Sequence, residues 1–157
     1  MNLFPLFQWF EATAIGTIVR ESRWMFPVIE CVHLLALSLL GGVVLAVDLR
    51  LLGLGLTSQP AARLESRLRP WLAGALATMI ATGLPMFLSE ALKCYYSPPF
   101  WNKMELLVVA AVFAFTVRRK VAAGNEPIRP GLKRLTALVS LGLWFSVGFA
   151  GRWIAFY

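Results

Sequence analysis

Long apolar blocks separated by short polar stretches dominate this chain. Crossing roughly 30 Å of hydrocarbon takes about 20 mostly apolar residues in a helix. Four blocks meet or approach that length: about Phe26 to Val47, Trp71 to Leu92, Phe100 to Val117 and Leu135 to Phe156. In lipid, backbone N–H and C=O groups have no water to bond, so each block must satisfy itself as a helix. A β-barrel would need shorter segments of alternating apolar and polar residues, and the chain contains none. The pattern predicts an all-α fold, a four-helix transmembrane bundle forming a single domain over residues 1–157.

Ahead of the first block, Phe4, Phe7, Trp9, Phe10, Ile15 and Ile18 surround Gln8 and Glu11. This mixture predicts a short interfacial helix over residues 4–19, lying in the membrane plane. The alternative is a frayed extension of the first span, against which stand Gly16 and the break at Arg20-Glu21-Ser22-Arg23. Met1 to Phe10 lacks a basic leader and no small-residue cleavage site comes after it, so the first block is expected to insert as a permanent signal-anchor. The connections are short. Leu52 to Pro70 holds Gly53, Gly55 and Pro60, then a turn or two of amphipathic character from Ala61 to Leu68. Lys93 to Pro99 succeeds the second block, and Arg118 to Lys133, with Gly124, Pro127 and Pro130, succeeds the third. Ala73, Ala77 and Ala81 on the second helix, and Gly142, Ser146, Gly148 and Gly151 on the fourth, are expected to let helices approach closely. Gly83 and Pro85 are expected to bend the second helix.

Composition agrees with the blocks: 59% of residues are hydrophobic and the mean hydropathy is +0.70, above the range of soluble domains. Lys and Arg number 15 against 8 Asp and Glu, a net charge of +7. In a soluble domain that balance would point to nucleic acid. Here the basic residues fall between apolar blocks, where they anchor helix ends to lipid headgroups and set orientation. The expected partner is the lipid bilayer, with no nucleic acid. Arg50, Arg63, Arg67, Arg69, Arg118, Arg119, Lys120, Arg129, Lys133 and Arg134 fall on one face, and Arg20, Arg23, Lys93, Lys103 and Arg152 on the other. The richer face is cytoplasmic, which predicts a bacterial inner-membrane protein with both termini periplasmic. Trp24, Tyr95, Tyr96, Trp101, Trp153 and Tyr157 then form an outer aromatic belt, with Trp71 at the inner surface.

Ionisable residues inside a span are costly and mark function or interhelical contact. On the first helix, Glu30 and Asp48 point the same way and His33 lies about 60° from both. This stripe is expected to face the bundle interior. Glu30 and His33 lie near the outer end, as do Glu90, Lys103, Glu105 and Arg152, whereas Asp48 and Arg50 mark the cytoplasmic end. The cluster has two readings. In one, Glu30-x-x-His33, completed by Glu90 or Glu105, holds a metal on one helical face. In the other, Glu30 or Glu105 pairs with Arg152 to fasten the helices, and His33 is a neutral, hydrogen-bonded imidazole. Haem b would take His33 with Met86 or Met104, or His33 alone or across a dimer. A transition metal such as copper prefers soft donors, but Cys31 and His33 lie about 200° apart and do not share one ion. Cys31 and Cys94 both map to the outer side, where a disulfide is open to them. No nucleophile–base pair or phosphate loop stands out, Gly53-Leu54-Gly55 included, so no catalytic residue is assigned and an enzyme is not the expectation.

Ser22, Pro27-Val28-Ile29-Glu30, His33-Leu34, Gly41, Asp48-Leu49-Arg50-Leu51-Leu52-Gly53, Gly83, Lys103 and Gly151-Arg152-Trp153-Ile154-Ala155 together resemble an uncharacterised family of small bacterial four-helix inner-membrane proteins. The resemblance covers nearly the whole chain. More distantly, the layout is similar to copper-resistance D-type proteins and four-helix b-type cytochromes, where histidines on later helices commonly join the first; this chain has His33 alone. Three functions stay open. One is an outer-side pocket at Glu30 and His33 for haem or a metal in a redox role. The second is a non-catalytic accessory subunit bound to a membrane-protein partner. The third is a small transporter acting as a homodimer.

Overall fold

A computed structural model describes residues 3–55, 58–124 and 129–156. Among these every regular element is a helix and there is no strand. The elements are α1 (Phe4–Glu11), α2 (Ala14–Glu21), α3 (Met25–Leu52), α4 (Ala61–Ser89), α5 (Ala91–Tyr96), α6 (Pro98–Phe113), α7 (Arg119–Ala123) and α8 (Pro130–Trp153). A π-helical turn, Ala114–Arg118, joins α6 to α7, and a 3₁₀ turn, Ile154–Phe156, ends α8. Pro127 and Tyr157, expected in a loop and in the aromatic belt, lie outside the described residues.

Three helices, α3, α4 and α8, are each long and apolar enough to cross a membrane. Much of their apolar surface faces outward: Leu35 and Phe145 are more than 70% exposed. In water such surface would be an uncovered patch; lipid covers it without cost. The shared core is narrow. Ala36, Leu40, Val43 and Val44 of α3 meet Leu72, Ala75 and Met79 of α4, Ala110 of α6, and Trp144 and Val147 of α8. Helix α3 packs on α4 and α8, α6 packs on α8, and α7 returns to α4.

Boundaries are set by local chemistry. Gly53 ends α3 at φ +80°, a conformation glycine adopts without steric penalty. Its N–H bonds the Arg50 carbonyl and the Leu54 N–H bonds the Leu49 carbonyl, closing the helix end. Pro60 precedes α4 as an extended cap, so Ala61–Leu68 continues the second span instead of standing as a separate turn. Pro85 lies within α4, where it removes one ladder donor. The alanine stripe Ala73, Ala77 and Ala81 is exposed, and the buried face of α4 is Leu72, Ala75 and Met79. Close approach of α3 to α4 occurs instead at Gly83, where a Cβ would stand 3.4 Å from the His33 ring.

The segment expected to be one interfacial helix is two helices docked on the end of α4. Thr13 breaks them, its Oγ accepting the Gly16 N–H at 3.3 Å as the N-cap of α2. Glu11 and Arg20 then clamp the α4–α5 junction. The Glu11 carboxylate accepts the Leu92 N–H at 2.7 Å, at the start of α5, and Arg20 donates to the Ser89 carbonyl at 3.3 Å, at the end of α4. The two side chains pair at 3.3 Å. An acid thus meets a helix N-terminus and a base a helix C-terminus, as helix dipoles favour. Phe7 is buried beneath this lid against Phe87, Tyr95 and Trp101.

Candidate functional site

Below the lid, side chains from three long helices converge. His33 sits two turns into α3, half-buried. Its Nδ1 lies 2.8 Å from the Thr82 hydroxyl on α4. That hydroxyl donates its own hydrogen to the Thr78 carbonyl at 2.7 Å. With that hydrogen on Thr78, Thr82 accepts from the ring and Nδ1 carries the proton, the tautomer this network assigns; the Met79 carbonyl also lies within hydrogen-bonding reach of the ring. Nε2 is left with its lone pair, the arrangement in which a ligating or proton-accepting imidazole is held by the bond its other nitrogen makes.

Lys103, one turn into α6, is half-buried, lies within electrostatic reach of His33, and has no ion pair among the described residues. Its ammonium lies against α8 where Gly151 has no side chain: a Cβ there would stand 3.5 Å from Nζ. Cys94, buried on α5, also lies within reach of Lys103. Burial, and next the charge of Glu90, push its thiol up to about 11 from an ordinary 9.0, so it is a neutral, unreactive group at physiological pH. Cys31 is exposed, and both thiols are free, so the disulfide does not form in this structure.

The remaining polar residues disperse. Glu30 is within electrostatic reach of His33 but exposed, and Glu105 and Arg152 are exposed as well. Glu90 pairs with Lys93 at 3.9 Å at the lid. Among the described residues no three His, Cys, Asp or Glu side chains stand close enough to share a metal ion, so Glu30, His33, Glu90 and Glu105 are not gathered as a ligand set. The ion pair weighed between Arg152 and Glu30 or Glu105 is also not among the described pairs; Arg152 lies 5.5 Å from the Phe156 ring centroid instead. Met86 is half-buried on α4 and Met104 is exposed on α6. Arg50 reaches back across its own loop to the Gln59 carbonyl at 2.6 Å. Asp48 alone of the α3 stripe is fully buried, and its partner is Arg118, at 3.4 Å. The stripe splits because Glu30, near the start of α3, can extend toward headgroups, whereas Asp48 faces the core from α3's last turns.

Sequence reasoning missed Thr82, Arg118 and Ser140. A threonine in an apolar block carries no signal of its own; its depth opposite His33 emerges only when α3 and α4 are paired. Arg118 reads as a loop charge in the sequence because it stands directly after the third block.

The family model for DUF6644, a family of unknown function, matches residues 6–157. No curated protein and no solved structure matches the chain, so the likeness in layout to copper-resistance and cytochrome proteins gains no counterpart. The chain, a helical protein with at least three segments fit to cross a membrane, belongs to the DUF6644 family.

Proposed function

We propose that this is a four-span protein of the bacterial inner membrane, both termini periplasmic, whose outer half binds a lipid-soluble hydroxyl compound of the quinol class between His33 and Lys103 and serves a redox partner. The carrying observation is the His33 ring, held through Nδ1 by Thr82 and within electrostatic reach of an ammonium that has no ion pair among the described residues. One phenolic hydroxyl answers both. Its hydrogen is donated to Nε2 and its oxygen accepts from Lys103 Nζ. Deprotonation comes first: the hydroxyl O–H bond breaks, its proton bonds to Nε2, and Lys103 stabilises the quinolate charge left on oxygen; a one-electron oxidant carried by the partner then withdraws an electron from that quinolate. Access through the exposed apolar flanks of α3 and α4 suits a ligand dissolved in lipid.

Haem b and a transition metal fit this geometry less well. One imidazole nitrogen is available, but the carboxylates and Met104 are exposed, no three His, Cys, Asp or Glu gather among the described residues, and the α4 backbone at Gly83 closes on the ring edge. The fourth span rests on the α6–π–α7 rod, which is helical over residues 98–123 and uncharged from Leu106 to Val117.

The test is quenching of tryptophan fluorescence by a short-chain quinol in nanodiscs. The wild type is expected to saturate. Lys103→Met should weaken binding about tenfold or more, the value of a hydrogen bond involving a charged group, and His33→Ala by about threefold to tenfold, the value of a neutral one, with helicity unchanged by circular dichroism. An unsaturable wild type, or a His33→Ala protein that binds equally well, overturns the reading. A Soret band that requires His33 after haem addition would return it to haem.

A further inference from the structure

The inner half of the bundle holds a second polar centre. Asp48 on α3 and Arg118 at the end of the π turn are both almost wholly buried, and they touch once, Nη1 to Oδ1, at 3.4 Å. Arginine's fork ordinarily grips a carboxylate at two points; here the grip is single and long. Among the described residues Arg118 Nε and Trp144 Nε1 are buried without a hydrogen-bond partner, and Asp48 Oδ2 and Ser140 Oγ, though neighbours, do not close a well-formed hydrogen bond. Ser140 sits beside the carboxylate. Trp144 lies one turn further along the same face of α8, and Thr136 one turn back, also buried. The π turn sets this up: an extra residue in one turn rotates the residues beyond it, and Arg118 points inward while Arg119 and Lys120 are exposed.

A buried polar atom left unpaired is destabilising, so the group calls for an occupant. The ion pair is neutral overall, which disfavours a bound anion or cation. The open groups are two N–H donors, a hydroxyl and a carboxylate oxygen. Water accepts from the first and donates to the last, and buried water characteristically makes about three such bonds.

We infer that the Asp48–Arg118–Ser140 centre is a hydrated proton-binding site in the inner half of the bundle. Water bridges Arg118 Nε and Asp48 Oδ2. A hydronium arriving through it passes a proton to Oδ2: an O–H bond forms on the carboxylate, one breaks in the hydronium, and neutral water remains beside the guanidinium. Nothing is oxidised or reduced. Among the described residues Arg118 is the charged group whose field reaches Asp48, and Ser140 its neutral neighbour.

Asp48 is the only aspartate in the chain, so carboxyl-¹³C aspartate gives a single-site probe without any substitution. Infrared difference spectra of the labelled full-length protein in proteoliposomes should show a neutral-acid C=O band growing several-fold between about pH 8 and about pH 5. The band should shift in D₂O and be absent from Asp48→Asn. Ser140→Ala, which removes one water ligand while keeping both charges, should move its midpoint. A carboxylate that stays ionised throughout, or an acid band untouched by D₂O, overturns the inference. Because the label reads the wild type, a failure of either variant to fold leaves the test decisive.

Discussion

At the residue scale, burial decides which polar groups can act. Cys94 is the case where it silences one. With its thiol raised to about 11, the thiolate fraction at pH 7 is roughly one in ten thousand. In a Cys31→Ser background, alkylation of Cys94 by iodoacetamide at neutral pH should be about 100-fold slower than in the unfolded chain, the ratio of the two thiolate fractions. The same burial links stability to pH. The fold holds the neutral thiol more tightly than the unfolded chain does, so this contribution is whole below pH 9.0 and declines as pH rises from there through about 11. Equal rates in folded and unfolded protein would remove Cys94 from the buried set. His33 shows the opposite use of burial. The sequence marks it as the one histidine and places it near the outer end of a span. It does not reveal the tautomer, which is fixed by Thr82 49 residues away and by the turn of α4 behind it.

At the element scale, periodicity identifies long helices and fails where a helix is short and its ends are satisfied from elsewhere. The spans at α3, α4 and α8 are legible in the sequence because oil requires about 20 apolar residues whatever the tertiary context. The α1–α2 hairpin is not legible there as two helices. Thr13 is shown as a cap only by the structure; an aromatic-rich stretch reads as one amphipathic helix, and the partners of Glu11 and Arg20 are backbone groups of Ser89 and Leu92. The hairpin's seat is narrow. A Cβ on Gly16 would stand 2.5 Å from the Leu88 carbonyl oxygen, a backbone atom with little room to yield. Gly16→Ala should therefore push α2 off α4 and cost about 1–3 kcal/mol. Hydrogen exchange over residues 4–21 should accelerate while α8 keeps its protection. Unchanged exchange there would show that α2 is held by its aromatic neighbours and not by this close approach.

At the scale of the whole molecule, two polar layers divide an apolar bundle. His33 and Lys103 mark one, Asp48 and Arg118 the other. Each pair of positions is separated by 15 residues on its own rod (33 to 48 on α3, 103 to 118 on α6 and its π turn). At 1.5 Å per residue both intervals are about 22 Å, so the two rods run in parallel over the same depth, and α6 with its π turn covers a height close to that of a bilayer core. The rod begins beside the C-terminal end of α4 and finishes beside the C-terminal end of α3, which are opposite ends of an antiparallel pair. That supports the proposed fourth crossing despite the π turn that divides its helix, and the proposal carries a parity. With three crossings the termini lie on opposite faces; with four they share one. Arg118 and Lys103, being interior, drop out of the surface count, which changes from ten against five to nine against four and keeps its sign. Alkaline phosphatase, active only outside the cytoplasm, should therefore be active when fused at either terminus and inactive when fused after Gly55 or Gly124. Activity at one terminus alone would mean the α6 rod enters the membrane and returns, and Lys103 and Arg118 would then belong to a re-entrant segment lining one side of the bundle.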